Sequence, residues 1–452
     1  MAKKVYFIGL TFYRSLKQSD NGKAEIFLFQ RNTEVFPEVL YMKQKILFYL
    51  GLVLLVCTCI YLTASFPMYF CYFTLFYTLI VAVIAYGYKP CREEHTPTCD
   101  ILIPAYNEGE HIYKTIKSVM HSDYPSFRVI AIDDGSTDDT KVWMEKAKQE
   151  FPDITTIYCP VNRGKKHALV EGFKVSNSEI IITIDSDSSV TPDSVANLLK
   201  PFIRSEVGAV AGNICVQNLN RKLIPRLMDI IFVFSYELLR SSQSRFGSVL
   251  CTPGALSAYR RKAVEEVLEE WLNQRFLGKP TSIGEDRALT CMILKKRWHV
   301  VYQETAKAYT NMPETYFGLC KMLLRWVRGD IRENILLAPY IIRNFSLRDL
   351  KTAGLTFHYI IFNIGVLSPV VISPLLVFYL LTNLSSSGFL ILYMTAVTIL
   401  WSILPTIIYA RKKSVLYSFH AFTYSFFSFL FLMWIPLYAI LTLNNNLWLT
   451  RK

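Results

Sequence analysis

Two carboxylates, Asp185 and Asp187, stand one residue apart after the apolar run Ile180–Ile184. Such a run of β-branched residues predicts a buried strand. If the strand keeps its pleat, both carboxylates point the same way, because side chains alternate between the faces. Carboxylate oxygens suit Mg²⁺ or Mn²⁺, ions that usually keep a phosphate as a further ligand. The competing interpretation is a strand end whose Asp residues only cap the next helix.

Two other loops after predicted strands are rich in polar and small residues. The strand Phe127–Ile132 ends in an Asp-Asp-Gly-Ser motif that starts at Asp133, and an earlier strand breaks at Pro104 into a polar loop. The Asp134 carboxylate can accept hydrogen bonds from a ribose or a uracil N–H. Gly135 lets the backbone approach a ligand closely. Each of these loops alone could be an ordinary turn.

A further loop, Asn162–Ala168, is basic. Lys165 and Lys166 offer positive charge to a diphosphate, although a solvated basic loop is the plain alternative. Strands and helices alternate through this region, which predicts a parallel, doubly wound α/β sheet. Loops at the carboxyl ends of such strands meet along one edge, where ligands bind. Together the loops predict a site for a nucleotide diphosphate.

Two later segments add candidates for sugar binding and catalysis. Cys251–Arg260 begins as a turn of small residues that could form the floor of a sugar pocket. In Ser282–Thr290, Glu285 and Asp286 follow a glycine and begin a helical pattern. The helix dipole alone favours a carboxylate at that position. The functional interpretation gives one of the two acids a proton-accepting role.

The composition indicates a membrane protein. Hydrophobic residues make up 52% and aromatic residues 14% of the 452 residues, which is high for a soluble protein. The net charge of +13 is explained by basic residues in loops that flank the membrane and in a site for a phosphorylated substrate. No nucleic acid partner is therefore expected. The ten cysteines show no paired spacing, which argues against disulfides and a zinc site. No signal peptide is predicted, since the first long apolar run begins near Ile46.

Apolar runs flank the predicted α/β region on both sides. Ile46–Ala64 and Met68–Tyr86 predict a transmembrane hairpin whose basic flanks put both ends in the cytosol. Tyr316–Ile342 is amphipathic, as in helices that lie at a membrane interface. Three later runs predict a C-terminal bundle: Gly354–Leu381, Gly388–Ala410 and Ser414–Leu443. The first and third exceed one crossing, which favours an extra crossing or a re-entrant turn and a cytosolic tail.

From about Thr98 to Asn334 the chain resembles the membrane-embedded family 2 glycosyltransferases, nearest to bacterial hyaluronan synthases and rhizobial-type chitin-oligosaccharide synthases. The resemblance rests on the Asp-Asp-Gly-Ser, Asn-Arg-Gly-Lys-Lys-His-Ala and Asp-Ser-Asp motifs and on the long block from Asn273 to Thr290. The ending Trp448–Arg451 is also similar to the Trp-Gly-Thr-Arg ending of hyaluronan synthases, with leucine in place of glycine.

The resemblance implies an α/β, glycosyltransferase-A-type doubly wound domain in the cytosol, inserted between transmembrane helices with amphipathic interface helices. The implied segments are a cytosolic N-terminal segment (1–45), a transmembrane hairpin (46–88), a cytosolic glycosyltransferase domain (95–313), amphipathic interface helices (314–345), a C-terminal transmembrane bundle (354–443) and a tail (444–452).

The resemblance also implies roles for individual residues. Asp286 is the implied general base, and Asp187 the ligand of Mg²⁺ or Mn²⁺. UDP-sugar contacts are implied for Ala105, Tyr106, Glu108, Asp134, Lys165, Lys166 and Asp185. Acceptor-site roles are implied for Arg325, Trp326 and Glu285. Met322 departs from the family's Gln-x-x-Arg-Trp pattern, and a thioether cannot replace the polar contact of an amide.

These implications predict a multi-pass enzyme of the cell membrane that polymerises UDP-sugars into a β-linked polysaccharide and extrudes it, by a metal-dependent inverting mechanism. Hyaluronan, made from UDP-N-acetylglucosamine and UDP-glucuronic acid, is the first choice. The alternatives are a chitin or chitin-oligosaccharide synthase that uses UDP-N-acetylglucosamine only, and a non-processive transferase acting on a lipid acceptor. A non-enzymatic membrane protein is a further alternative, against which the intact acids argue. The growing polysaccharide and the lipid bilayer are the expected partners, and the oligomeric state stays open.

Overall fold

The chain divides into two compact units, Met1–Tyr61 and Leu62–Lys452. The predicted transmembrane run Ile46–Ala64 and the Trp448–Arg451 motif lie outside the described residues. The computed structural model describes residues 4–7, 10–18, 24–30, 67–382 and 387–445.

The first unit contains a three-stranded antiparallel sheet. Its strands are β1 Lys4–Phe7, β2 Leu10–Gln18 and β3 Ala24–Gln30. They are hydrogen-bonded in the order β1-β2-β3, as in a meander of consecutive strands.

The second unit contains an eight-stranded sheet and a two-stranded ribbon. The strands are β4 Cys99–Ala105, β5 Phe127–Asp133, β6 Thr155–Tyr158, β7 Ile180–Thr183, β8 Ser188–Val190, β9 Val207–Val216, β10 Ser257–Arg260, β11 Arg275–Phe276, β12 Lys279–Pro280 and β13 His299–Thr310. β11 and β12 form the ribbon, and the sheet has the order β6-β5-β4-β7-β10-β9-β13-β8. β4 and β7 are buried along their whole length, which explains their nearly continuous apolar sequences.

One half of the sheet is parallel, as the alternation of strands and helices predicts. β6, β5, β4 and β7 run in the same direction, so the loops after β4, β5 and β7 meet at one edge. The other half is mixed, which corrects the expectation of a purely parallel sheet. β10 is antiparallel to both its neighbours, and β8 is antiparallel to β13. β4 also continues to Ala105, so the break predicted at Pro104 comes one residue too early.

Helices cover the sheet and then form the apolar part of the unit. In chain order they are α1 Pro67–Tyr86, α2 Glu110–Met120, α3 Thr140–Glu150, α4 Lys165–Val175, α5 Ser194–Leu199, α6 Leu223–Phe234, α7 Ser241–Ser244, α8 Arg261–Glu265, α9 Leu268–Leu272, α10 Glu285–Lys295, α11 Tyr316–Asn344, α12 Leu350–Thr382, α13 Ser387–Lys412, α14 Val415–Ser418, α15 His420–Phe427 and α16 Trp434–Leu441. α2 shows the pattern that packs them: Ile112, Ile116 and Val119 recur at helical spacing and are fully buried.

Among the described residues, three helical stretches are long and apolar enough to cross a membrane. They are Leu350–Val371, Met394–Lys412 and Val415–Leu432, and they correspond to the three C-terminal runs that the sequence predicts. α1 lies where the second run of the predicted hairpin is expected.

α11 is a single helix of 29 residues in the region of the predicted amphipathic helices. Thr315 caps it by accepting a hydrogen bond from Gly318 N at 3.2 Å. Its packed face carries charge as well as apolar side chains. Arg328 is buried and donates to Thr442 Oγ1, at 2.8 and 3.1 Å, beyond the end of α16.

Charged side chains join the apolar helices to the sheet and to α6. Lys413, just after α13, pairs with Asp229 of α6 at 2.6 Å, and Lys412 pairs with Glu304 of β13 at 2.6 Å. At the start of α12, Lys351 donates to two main-chain carbonyls ahead of β13, at 2.5 and 2.6 Å. The beginning of α12 and the end of α13 therefore lie on the same side, next to the sheet.

Candidate active site

Asp185 and Asp187 lie in the turn between β7 and β8. β7 ends at Thr183, so the pleat on which the sequence argument depends does not reach the two acids. Asp185 is half-buried and Asp187 is exposed. Because β8 pairs with β13 at the far edge of the sheet, this turn begins a crossing of the sheet. The two acids sit at the carboxyl edge, where ligands of such sheets bind.

The donors at this turn fit a hard divalent cation that arrives with a phosphate. Among the described residues, no group of three or more His, Cys, Asp and Glu side chains could enclose a metal by itself. Mg²⁺ and similar ions are commonly held by one or two carboxylates, with phosphate and water as the other ligands. Asp185 and Asp187 supply oxygen donors of that kind.

Lys165 connects the Asp-Ser-Asp turn to the Gly-Glu-Asp motif. Its buried ammonium forms a close ion pair with Asp185 and a second one with Glu285, at 3.2 Å. Burial would lower the pKa of Lys165, but the two carboxylates outweigh it and raise the pKa above its ordinary value. Two motifs that are distant in sequence therefore meet around one cation.

Asp286 lies in the first turn of α10, beside this cation. Its carboxylate accepts hydrogen bonds from Arg287 N at 2.7 Å and from Gly254 N at 3.3 Å. Burial, with the charge of Glu285 adding to it, raises the pKa of Asp286 to about 6, while Lys165 acts in the opposite direction. A carboxylate with that pKa can accept a proton near neutral pH, as a general base must.

Glu285 leaves one carboxylate oxygen available in the same cleft. The residue is 4% exposed, and Lys165 pairs with its Oε1. Its Oε2 is buried and accepts no hydrogen bond from the described residues. Buried acceptors in native proteins normally have a donor, so a hydroxyl of a bound sugar is a suitable partner for Oε2.

The turn after Cys251 forms another wall of the cleft. A Cβ atom added to Gly254 would lie 2.5 Å from Lys165 Nζ and 3.1 Å from Asp185 Oδ2, so a side chain there displaces the ammonium. Thr252 fixes the turn on α10, because its amide and its hydroxyl both contact Thr290 Oγ1, at 3.0 and 2.6 Å. The turn of small residues thus lies against the acids, where the sequence predicts the floor of a sugar pocket.

Asp134 holds two loops together farther along the same edge. Its oxygens accept hydrogen bonds from Arg163 N at 3.1 Å and Gly164 N at 2.8 Å, which ties the loop after β5 to the basic loop before α4. Gly135 has φ +72°, and a Cβ atom on it would come within 2.5 Å of the Val161 backbone, so glycine is required there. The uridine contact of Asp134 stays a prediction.

Ala105, Tyr106 and Glu108 lie where β4 gives way to α2. Ala105 is buried and the other two are half-buried. The neighbouring Asn107 is a residue that the sequence analysis did not single out. It has φ 52° and accepts a hydrogen bond from Thr137 N at 2.9 Å. Asparagine tolerates this left-handed conformation and fixes turns, which is the signal that could have identified it.

Lys166 is engaged by the segment that precedes α10. Its Nζ donates to Trp271 O at 2.9 Å, to Thr281 O at 3.1 Å and to Thr281 Oγ1 at 3.2 Å. Burial lowers the pKa of Lys166 to about 8, against the opposing charges of Glu333 and Glu285. Lys166 therefore holds Trp271 and Thr281 together. The diphosphate contact predicted for it stays a prediction.

α11 carries two of the predicted acceptor residues, Arg325 and Trp326, and approaches the start of α10. A Cβ atom added to Gly329 would lie 3.3 Å from Gly284 Cα, so the two helices meet at a pair of glycines. Arg325 precedes Gly329 by four residues and so lies on the same face of the helix. Trp326 instead stacks on Phe232 of α6, with ring centroids 6.2 Å apart.

Met322 belongs to an apolar cluster. It is buried together with Val216, Met228 and Leu319. A glutamine at this position would place an amide among apolar side chains. The local packing therefore suits the methionine that replaces the family's usual residue.

Arg287 links α10 to α11 and α12. The buried guanidinium pairs with Asp330 at 3.2 Å and donates to Asn334 Oδ1 at 2.7 Å. It also lies 4.6 Å from the centroid of the Phe362 ring in α12. The residue next to Asp286 is thus fixed by helices outside the sheet.

Comparison with known proteins shows similarity to glycosyltransferases in both sequence and structure. The profile of the family described as "Glycosyl transferase family 2" matches residues 100–268. An N-acetylglucosaminyltransferase of Rhizobium meliloti (strain 1021) is 31% identical over 375 residues, which cover 80% of this chain and 83% of that protein. A hyaluronan synthase of Streptococcus pyogenes is 34% identical over 275 residues, which cover 59% of this chain and 65% of that protein.

A solved structure shares the fold. It is described as "Mannosyltransferase PcManGT from Pyrobaculum calidifontis in complex with GDP-Man and Mn2+" and superposes with a TM-score of 0.57 at 19% identity. The superposition covers 82% of this chain and 99% of that one. The curled, mixed sheet and the helices around it are therefore arranged as in a known glycosyltransferase.

Proposed function

The chain belongs to glycosyl transferase family 2, and from that premise we propose that it is a membrane-bound polymerising enzyme. It transfers N-acetylglucosamine from UDP-N-acetylglucosamine to the end of a growing β-linked glycan, with inversion at the anomeric carbon. The observation that carries the proposal is the convergence of Asp185, Lys165, Glu285 and Asp286 at the carboxyl edge of the sheet.

The choice of sugar is supported by the relatives. The rhizobial relative is named for N-acetylglucosamine and matches 80% of this chain, against 59% for the hyaluronan synthase. This difference reverses the order of preference that the sequence motifs alone favour. Hyaluronan, which contains the same sugar together with glucuronic acid, is the second candidate, because the hyaluronan synthase is 34% identical.

In the proposed reaction Asp286 accepts the proton of the acceptor hydroxyl while that oxygen attacks the anomeric carbon. The new glycosidic bond forms opposite to the breaking bond between the sugar and the diphosphate. Inversion follows, and no covalent sugar–enzyme intermediate forms. A positioned base contributes roughly 10²–10⁴-fold to such a rate. The available Oε2 of Glu285 is the group that orients a sugar hydroxyl.

UDP leaves as a multiply charged anion, so positive charge at its position lowers the barrier. Lys165 is a buried cation that pairs with two acids of the cleft, Asp185 and Glu285. Asp187, with Asp185 beside it, would hold a divalent cation, which neutralises the diphosphate when bound. Both Mg²⁺ and Mn²⁺ fit these donors, and Mn²⁺ is the ion named for the mannosyltransferase of the same fold.

The helices support a membrane location for the reaction. Arg411, Lys412 and Lys413 stand at the end of α13, where it meets the sheet. Positive residues flank the cytoplasmic ends of membrane helices, so we infer that the catalytic sheet is cytosolic and the chain multi-pass. The glycan then leaves between the apolar helices.

The test of the proposal is to incubate the purified full chain, in lipid discs, with labelled UDP-N-acetylglucosamine, with labelled UDP-glucuronic acid, and with both. We expect a long polymer from UDP-N-acetylglucosamine alone. A polymer that requires both nucleotides would identify hyaluronan instead. Addition of a single sugar to a lipid would contradict polymerisation, and the absence of any transfer would contradict the enzyme assignment.

The metal assignment has its own test. Asp187→Ala removes the exposed carboxylate of the turn, so we expect transfer to be lost and UDP binding to stop depending on added Mg²⁺ or Mn²⁺. Titration calorimetry with UDP, with and without each ion, measures the second effect. A variant that still turns over in chelator would rule out this role for Asp187.

A further inference from the structure

A second cavity, of about 390 Å³, lies where α1 joins the sheet. Gly87, Tyr88 and Lys89, which directly follow α1, form one wall, and Arg204 and Arg245 are on the others. None of its lining residues belongs to the catalytic cleft, and none of them is Asp or Glu. The proposed sugar transfer does not involve this cavity.

The walls of this cavity are fixed by hydrogen bonds. Tyr88 donates to Tyr302 O at 2.8 Å, and the two rings stack with centroids 5.6 Å apart. The Gln303 side chain binds both main-chain groups of Cys91, at 3.0 and 2.9 Å. Ser244 Oγ accepts a hydrogen bond from Tyr302 N at 3.0 Å. The cavity is therefore a built feature of the sheet and not a gap between loose side chains.

The cations of the cavity have no acidic partner among the side chains that the structure describes. Across residues 76–371, where side chains are described, Lys89, Arg204 and Arg245 form no ion pair with an acid. The two acids nearest to the lining residue Tyr88, Glu304 and Glu237, are both paired with Lys412, each at 2.6 Å. Three cations in a concave polar site attract an anion, and Arg and Lys suit phosphate in particular.

The helix that leads to the cavity indicates where such an anion comes from. α1 exposes large apolar side chains on its way to Gly87: Phe76 is 64%, Val83 75% and Tyr86 87% exposed. The Arg245 guanidinium lies at the end of this helix, because a Cβ atom on Gly87 would be 3.5 Å from it. An apolar surface that ends in a basic pocket matches a phospholipid, whose acyl chains and phosphate are joined in that order.

We propose that this cavity binds a phosphate-bearing anion, namely the headgroup of an anionic phospholipid whose acyl chains lie along α1. The inference is independent of the sugar that the enzyme transfers. Native mass spectrometry of the full chain in detergent, with phosphatidylglycerol or phosphatidylcholine added, counts the bound lipids. We expect phosphatidylglycerol to bind and phosphatidylcholine not to compete with it.

The decisive variant is Arg204→Gln/Arg245→Gln, which removes two exposed charges and keeps long side chains. We expect it to bind phosphatidylglycerol roughly 30-fold more weakly. Lys262→Gln/Lys296→Gln is the matched control, because it removes two exposed charges elsewhere and should bind as the wild type does. Unchanged melting of both variants in phosphatidylcholine shows that they are folded.

Two other results would overturn the proposal. Equal binding of phosphatidylglycerol by the wild type and by Arg204→Gln/Arg245→Gln would show that the lipid does not bind in this cavity. Inorganic phosphate is the second probe. If the wild type binds it, the variant does not, and phosphatidylglycerol binds no better than phosphatidylcholine, then the cavity takes a free phosphate and the lipid source is wrong.

Discussion

Glu285 and Asp286 are adjacent acids, and Lys165 lies beside both of them. The ammonium touches Asp185 and Glu285 directly and lowers the pKa of Asp286 from a distance, against the effect of burial. Removing the charge of Lys165 would raise the pKa of Asp286, and removing the charge of Glu285 would lower it. Each substitution in the cleft therefore tests both the contact that it removes and its effect on Asp286.

Asp286→Asn keeps the shape of the side chain but removes the base. We expect transfer to fall by about 10²–10⁴-fold, while UDP binding is unchanged because the proposal places the diphosphate at Lys165 and the Asp185–Asp187 turn. Single-turnover transfer and calorimetric UDP binding measure the two quantities separately. A loss of UDP binding in this variant would contradict the role given to Asp286.

The pH dependence follows from the raised pKa of Asp286. The base must be deprotonated, so kcat/KM should be full at neutral pH and fall as the pH drops through about 6. Glu285→Gln removes a neighbouring negative charge, which lowers the pKa of Asp286 and moves this acid limb to lower pH. The measured quantity is the pH at which kcat/KM falls, and not the maximum value of kcat/KM. If kcat/KM falls at the same pH in Glu285→Gln as in the wild type, then the charge of Glu285 does not raise the pKa of Asp286.

Gly254→Ala tests the room left for Lys165. The added Cβ meets the flexible end of the lysine and not backbone, so the melting temperature should change little. The ammonium must leave Asp185, and we expect a large decrease in kcat. Gly365→Ala in α12, where an added Cβ meets nothing within 4 Å, is the control. Wild-type activity in Gly254→Ala would show that the Lys165 position is unimportant.

At the scale of elements, the start of α10 is positioned by α11 as much as by the sheet. The two helices meet at Gly284 and Gly329, and Arg287 reaches from one helix to Asp330 of the other. Helices that approach through two glycines have no side chains between them to absorb a displacement. The acids of the cleft are therefore sensitive to changes on α11.

Arg287→Met leaves Asp330, which is 27% exposed, without its buried partner and should lower the free energy of unfolding by about 1–3 kcal/mol. The double variant Arg287→Met/Asp330→Asn should lose less than the sum of the two single variants, since the unpaired carboxylate is gone. Thermal melting in detergent compares the wild type, the two single variants and the double variant, which together form a double-mutant cycle. Additive losses would mean that the pair does not couple α10 to α11.

The sequence predicts the parallel half of the sheet well, because β4, β5 and β7 are apolar runs that end in polar loops. It does not predict the direction of β10, which has four residues and no local signal for its neighbours. The ion pair of Lys165 with Glu285 is likewise hidden, since it joins residues that only the completed sheet brings together. Lys165 and Lys166 look equivalent in sequence, but burial against different partners separates their roles.

At the scale of the whole molecule, three lysines of the described residues hold the apolar helices to the sheet and to α6. Lys351 lies at the start of α12, and Lys412 and Lys413 lie at the end of α13. If α12 and α13 cross the membrane as a pair, residues near their junction lie on the opposite side from these lysines. This arrangement defines a topology that can be measured.

We expect Gly388→Cys, at the exposed start of α13, to react with a membrane-impermeant maleimide in intact cells. Arg348→Cys, exposed just before α12, should react only after the membrane is opened, because it lies on the side of the sheet. Both variants are made in a background without the native cysteines. Labelling of both positions in intact cells would contradict the proposed orientation.

Arg328 and Gly329 are neighbours in α11 but have different partners. One is bonded to Thr442 beyond the last helix, and the other is packed on the glycine that precedes Glu285 and Asp286. If the departing glycan pushes the last helix outward and Arg328 follows, Gly329 must shift as well, because adjacent residues of a helix move together. Chain release and readiness for the next sugar would then be two effects of a single motion.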